Sequence, residues 1–176
     1  EAGAATDQAQ QNGATPLFIA CQEGHPEIAQ LLFEADADIN QAEENGCTPL
    51  FIACENGQLE CAQLLCDAGA AINQANQNGA TPLYIASQNN HLEIVQLLLE
   101  AGAAINQACS NGVTPLYIAC QQGRLECAQL LLEAGAAVNQ ANARGTTPLF
   151  IACQEGRLEC AKLLRDAGAG INQAMN

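Results

Sequence analysis

The stretch TPLFIAC at residues 15–21 recurs four times at a constant spacing of 33 residues, as TPLFIAC at 48–54, TPLYIAS at 81–87, TPLYIAC at 114–120 and TPLFIAC at 147–153. A period of this length is typical of units that cannot bury their own apolar face and must stack on one another. We therefore predict an elongated stack of repeats that share one continuous core.

One period, residues 109–141, indicates two short helices and a turn. Thr114 followed by Pro115 is an N-terminal helix signal, because the hydroxyl caps free N–H groups and proline at the first position loses no needed donor. Gly123 predicts the end of this helix and Gly135 the end of the next. The remainder of the period is short and rich in Asn, Ala and Gly, which favours an extended excursion with a tight turn.

This pattern resembles the ankyrin repeat over nearly the whole chain. The resemblance depends on Gly-x-Thr-Pro-Leu, the later Leu-Glu and Leu-Leu pairs, and Ala-Gly-Ala followed by Ile/Val-Asn. It implies an all-α solenoid of stacked helix-turn-helix units with projecting β-turns. We expect one domain over 1–176, with a partial repeat at 1–9 and full repeats at 10–42, 43–75, 76–108, 109–141 and 142–174.

Several positions depart from the family pattern. Asp36 and Asn90 replace helix-ending glycines, so each is predicted to hold a positive φ. Arg165 occupies a position that is apolar in every other repeat, which predicts that the stack ends here with a solvent-exposed face. The family's usual His after Thr-Pro-Leu is replaced by an aromatic residue, which we expect to pack between neighbouring repeats: Phe18, Phe51, Tyr84, Tyr117 and Phe150.

The ten cysteines follow the repeat. One set is Cys21, Cys54, Cys120 and Cys153; a second is Cys61, Cys127 and Cys160, at a position that holds Ile28 and Ile94 in the other repeats. A position that accepts Ile or Cys behaves as a buried apolar site. A thiol redox function is the alternative, with pairs such as Cys54 and Cys61 near each other across a hairpin. No C-x-x-C pair occurs, so no metal or cofactor is expected.

No residues form a catalytic pattern. The sequence lacks a phosphate-binding glycine loop, and ten acidic residues simply recur at the two ends of the second helices. We expect a protein that is not an enzyme.

The positions that vary between repeats while the framework stays fixed are the candidate partner-binding residues. They lie at the turn tips and at the exposed ends of the first helices, which the ankyrin resemblance places along one concave groove. The set is Gln11, Asn12, Glu23, Glu44, Asn45, Cys47, Glu55, Asn56, Gln77, Asn78, Gln88, Asn89, Ser110, Asn111, Gln121, Gln122, Arg144, Gln154 and Glu155.

The charge distribution is uneven. All five basic residues follow Gly123, and the preceding stretch holds 14 acidic residues, so the net charge of −14 resides there. Such a surface repels nucleic acid and anionic membranes and attracts a basic protein or peptide. We expect an unknown protein or peptide as partner, a monomer, and an intracellular location, since free thiols favour a reducing compartment.

Two other functions fit the same pattern. One is a structural spacer or self-associating scaffold whose apolar repeat ends make the contacts. The other is a designed repeat scaffold without a natural ligand. Irregularities between the repeats are unlike an idealised design and favour a natural sequence; examples are Pro26, Asp36, Ser87 and Asn90.

Overall fold

A computed structural model describes residues 8–170, which contain ten α-helices arranged as five consecutive pairs. Most of the partial repeat expected at 1–9, and the end of the last repeat, lie outside the described residues. Strands are absent from the described residues, so the fold there is all-α. The helices are α1 Pro16–Glu23, α2 Pro26–Glu34, α3 Pro49–Asn56, α4 Leu59–Asp67, α5 Pro82–Asn89, α6 Leu92–Glu100, α7 Pro115–Gln122, α8 Leu125–Glu133, α9 Pro148–Gln154 and α10 Leu158–Asp166.

The first helix of each pair begins as the Thr-Pro signal predicts. Thr114 is the N-cap of α7, and its Oγ1 accepts the backbone N–H of Tyr117 at 3.2 Å. The same bond forms at every first helix, so a threonine hydroxyl caps a backbone N–H group in each pair. Gly123 follows α7 in the left-handed conformation with φ 71° and allows the chain to turn into α8.

The second helices end on residues with positive φ. Asp36 has φ 62°, whereas its equivalents Gly69, Gly102, Gly135 and Gly168 lie between 81° and 94°. Asn90, which replaces a glycine after a first helix, has φ 67°. Both expectations are confirmed, and Asp36 holds a conformation that costs an L-residue about 1 kcal/mol or more.

The repeats stack through both sets of helices, and neighbouring first helices approach one another more closely than neighbouring second helices do. A stack curves toward its more closely packed layer, so we call the side formed by the first helices and the turn tips the concave side. Leu17, Leu50, Leu83 and Leu116 are fully buried in the first-helix layer. The aromatic side chains of Phe18, Phe51 and Tyr117 are buried between repeats as expected, Tyr84 is half-buried and Phe150 is exposed at the end of the stack.

Polar bonds join each repeat to the next at fixed places. The residue before the second helix reaches back to a carbonyl of the preceding first helix, as Arg157 Nε does to the Gln121 oxygen at 3.1 Å. Gln58, His91 and Arg124 make the equivalent contacts. The turn tips are joined by backbone bonds, for example from Ser110 N to the Asn78 oxygen at 2.9 Å. These bonds hold the tips in a continuous row beside the first helices.

Candidate functional site

A pocket of about 470 Å³ lies in the middle of the concave side, and we call it the central pocket. The first helices α3 and α5 contribute Phe51, Tyr84 and Ile85 to its wall, and the turn tips of the third and fourth repeats form its rim. Its lining residues are Cys47, Phe51, Glu55, Asn76, Asn78, Ala80, Tyr84, Ile85, Gln88, Cys109, Ser110 and Asn111.

Glu55 is the only residue of the central pocket that carries a formal charge at neutral pH. Its side chain is half-buried at the end of α3, and the sequence places no Lys or Arg before Arg124. Glu43 adds negative potential nearby. Partial burial acts to raise the pKa of its carboxyl, but hydrogen bonds from the backbone N–H groups of Asn45 and Cys47 outweigh burial and lower that pKa, which favours the charged form. The pocket is therefore electronegative.

The Tyr84 hydroxyl and the Cys47 thiol, which also line the pocket, stay neutral at pH 7. Burial, together with the neighbouring Cys109, raises the pKa of Tyr84 to about 12. Burial is also the main reason that the pKa of the Cys47 thiol rises to about 11. The wall of the pocket thus combines aromatic and amide surface with a single carboxylate.

A second pocket of about 330 Å³ continues the groove toward the last repeat. The Tyr117 hydroxyl lies in its wall, 3.0 Å from Thr146 Oγ1 and 3.3 Å from Asn142 Nδ2, which donates to it. Asn111 lines both pockets, so they form one surface, which we call the concave groove. Arg144 gives the second pocket a positive charge, so the groove changes sign along its length.

The structure brings nine of the nineteen predicted partner-binding residues into these two pockets: Cys47, Glu55, Asn78, Gln88, Ser110, Asn111, Gln121, Arg144 and Gln154. Two others serve the framework, since Asn56 Nδ2 donates to the Gln22 oxygen and Asn89 Nδ2 donates to the Glu55 oxygen. The rest lie outside both pockets: Gln11, Asn12, Glu23, Glu44, Asn45, Gln77, Gln122 and Glu155.

Sequence reasoning left out groove residues that the structure reveals. The Tyr84 and Tyr117 side chains, assigned to packing between repeats, also line the pockets. The sequence feature that could have identified them is the replacement of Phe by Tyr in a motif that is otherwise nearly constant. The first residue of each period was also left out, although it differs between neighbouring repeats, and Asn76, Cys109 and Asn142 line the groove from this position.

Six of the ten thiols are buried, whereas Cys47 and Cys109 line the central pocket. Two thiol pairs are hydrogen-bonded across a junction between repeats, Cys21 with Cys61 and Cys120 with Cys160, whereas Cys54 interacts with Cys66 inside its own helix pair. None of these is a pair that the sequence suggested, such as Cys54 with Cys61. Burial raises the pKa of Cys21 and Cys54 far above the ordinary range, which keeps these thiols protonated and unreactive. Cys153 is exposed.

Between residues 8 and 170, no group of three or more His, Cys, Asp or Glu side chains is placed to hold a metal ion. Over the same residues, none of the helices has the length and apolar character needed to cross a membrane.

The stacked pairs and their groove define a helical repeat protein, and the comparison with protein families gives its class. A family model described as ankyrin repeats (3 copies) matches four overlapping stretches, residues 2–76, 35–109, 69–142 and 102–175. The chain belongs to the ankyrin repeat family. Repeats of this family are generally protein–protein interaction modules and are typically non-enzymatic. The comparison with curated proteins gave no match.

Proposed function

We propose that the chain is a non-catalytic interaction module that binds a basic segment of a protein or peptide along the concave groove. The observation that carries the proposal is the central pocket, where Glu55 is the only formal charge beside the aromatic side chains of Phe51 and Tyr84. A cationic side chain inserted there meets a carboxylate and an aromatic face together.

The chemistry of the pocket suits lysine or arginine. A cation over an aromatic ring gains about 0.5–2 kcal/mol, depending on how far it is desolvated. The methylene stem of such a side chain packs on apolar surface such as that of Ile85, while its charged end reaches the carboxylate. Both requirements are met within one pocket.

The amide side chains around the pocket suit an extended peptide. Asn78 and Gln88 each offer both donors and acceptors, which match backbone C=O and N–H groups, whereas Asn76 and Asn111 use their side-chain oxygens to hold the turns. An interface of roughly 800 Å² per partner would extend over several repeats. The acidic first three repeats would accelerate association with a basic partner and repel nucleic acid and anionic membranes.

Two further points belong to the proposal. The many unpaired thiols support action in a reducing, intracellular compartment. One chain supplies the entire groove, so binding needs only a monomer.

Selection from a random-peptide display library tests the proposal. The expected peptides are rich in Lys and Arg. In calorimetry with one selected peptide, Glu55→Gln weakens binding about tenfold to a hundredfold, because a hydrogen bond to a charged group contributes about 1.5–3 kcal/mol. Glu126→Gln removes the same charge from the second helix α8, outside both groove pockets, and leaves binding nearly unchanged.

Either of two results would contradict the proposal. One is the selection of neutral or acidic peptides, which would remove the basic partner. The other is equal loss of affinity in both variants, which would show that net charge rather than the central pocket determines binding.

A further inference from the structure

Two rows of residues, almost all of them amides, follow the concave side from repeat to repeat. The first-helix row is the thirteenth residue of each full repeat: Gln22, Glu55, Gln88, Gln121 and Gln154. The turn-tip row is the third residue of each full repeat: Asn12, Asn45, Asn78, Asn111 and Arg144. One charged residue interrupts each row, and the two charges have opposite signs.

These two interruptions are also the only formal charges that line the central and the second pocket. Glu55 suits the basic residue of the proposed ligand. Arg144 does not, because it would repel the lysines and arginines of a purely basic segment. The ligand therefore needs a group of different charge where it meets the second pocket.

The turn tip that carries Arg144 is held firmly against the wall of the second pocket. Asn142 Oδ1 accepts the backbone N–H groups of Arg144 at 2.9 Å and of Thr146 at 3.1 Å. Asn142 Nδ2 donates to the Tyr117 hydroxyl at 3.3 Å, which joins the tip to α7 of the preceding repeat.

The Arg144 guanidinium is available to a ligand. The side chain is exposed, and neither of the two ion pairs found between residues 8 and 170 involves it. A guanidinium binds a carboxylate through two parallel N–H···O bonds, so an acidic side chain fits this position.

The two charges are separated by about two to three repeats along the groove. Glu55 belongs to the second full repeat, whereas Arg144 lies in the second pocket between the fourth and the fifth. Packed helices lie 8–10 Å apart, so the separation is roughly 16–30 Å. An extended peptide spans that distance in about five to nine residues.

From these observations we infer that the ligand is a peptide segment with two charges, a Lys or Arg that binds at Glu55 and an Asp or Glu that binds Arg144. The inference rests on the proposed function, which supplies the basic residue. The amides of the two rows repeat and would let a peptide slide from one repeat to the next. The two charges select one position and one chain direction, because the reverse direction would bring like charges together.

Peptide selection on the wild-type chain gives the first test. The selected sequences should carry an acidic residue at a constant spacing from a basic one, within the range of about five to nine residues. Acidic residues at no constant spacing, or none at all, would overturn the inference.

Calorimetry at low salt with one selected peptide, acetylated and amidated so that no terminal carboxylate can replace the side chain, gives the second test. Arg144→Asn restores the residue of the other four repeats and weakens binding about threefold, as expected for an exposed ion pair. Changing the acidic residue of the peptide to its amide causes the same loss with the wild type and no further loss with Arg144→Asn. Arg165→Gln, exposed on α10 outside both pockets, leaves the affinity unchanged.

A charge swap separates recognition from a structural role of Arg144. Arg144→Glu should prefer the peptide in which Lys replaces the acidic residue, whereas the wild type prefers the original. Equal weakening of both peptides by Arg144→Glu would overturn the inference.

The outcome for the inference is distinct from the outcome for the proposed function. A peptide that responds to Glu55→Gln but not to Arg144→Asn would overturn the inference alone. A peptide that responds to Arg144→Asn but not to Glu55→Gln would overturn the basic contact of the proposed function and leave the Arg144 contact in place.

Discussion

Gly112 packs directly against the backbone nitrogen of Ala143 in the next turn tip, and a β-carbon on Gly112 would lie 2.6 Å from that nitrogen. The same nitrogen donates to the Asn111 oxygen at 2.9 Å, so the contact sits in the row of bonds that joins the tips. The close approach explains why a glycine is needed at this point of the turn.

Replacing Gly112 by alanine should destabilise the fold more than the same change at Gly135. Both glycines have positive φ, 80° and 94°, and therefore share a backbone cost of about 1–2 kcal/mol. Only Gly112 adds a clash, worth about 1–3 kcal/mol, because a β-carbon on Gly135 meets nothing within 4 Å. Urea unfolding of the two variants measures the difference, and equal losses would show that the tips can separate without cost.

Replacing Asp36 by glycine should stabilise the chain by about 1 kcal/mol. Asp36 holds φ 62° at a position that is glycine in the other repeats, and glycine adopts this conformation without the steric cost. The reciprocal change Gly69→Asp should cost a similar amount, because a side chain at Gly69 meets open space and only the backbone is strained. Thermal unfolding compares the two variants. A loss of stability in Asp36→Gly would indicate that the aspartate side chain stabilises the fold by more than its backbone conformation costs.

Cys153 should be the fastest of the ten thiols to react with a disulfide reagent in dilute solution. It is exposed, whereas its equivalents in the inner repeats are buried. Cys153→Ser should remove the fast phase, and serine suits the position because Ser87 occupies it in the third repeat. Cys120→Ser should leave that phase intact. A fast phase that survives in Cys153→Ser would assign the reactivity to a less exposed thiol and revive the redox alternative.

Stability should fall between about pH 9 and 11. Burial is the main cause that raises the pKa of Cys66 and of Cys127 from 9.0 to about 11 in the folded chain. Below pH 9 both folded and unfolded states keep these protons. Above it the unfolded state loses them first, so rising pH favours unfolding until the folded thiols also titrate.

The double variant Cys66→Leu and Cys127→Ile tests this cause. Both replacements occur at the equivalent positions of other repeats, as Leu99 and Ile94. Melting temperatures from pH 8 to 11 should decline less steeply in the variant than in the wild type. Parallel curves would show that these two thiols do not produce the alkaline loss.

The helical framework was predictable because every repeat carries the same local signals. Thr114 with Pro115 starts a helix and Gly123 ends it, whatever the neighbouring repeats contain. The positive φ of Asp36 and Asn90 followed from the glycines that they replace. The sequence of one period therefore predicts one helix pair, and the constant spacing between periods predicts that the pairs stack.

The central pocket was only partly predictable because it depends on the offset between repeats. Tyr84 comes from α5, whereas Asn111 comes from a later turn tip, and their shared wall is fixed by how far each repeat is displaced from the next. The thiol contact of Cys21 with Cys61 has the same origin, since it crosses a junction instead of lying within one hairpin. Sequence spacing inside one repeat contains no measure of that displacement.

Chemical-shift mapping of the labelled chain with a selected basic peptide shows whether the peptide binds in the concave groove. The amide signals of Asn78, Gln88 and Ser110, around the central pocket, should shift on binding, while those of Gln96 and Gln129 on the second helices should stay in place. Shifts confined to the second helices, or absent from the residues around Glu55, would contradict binding in the concave groove.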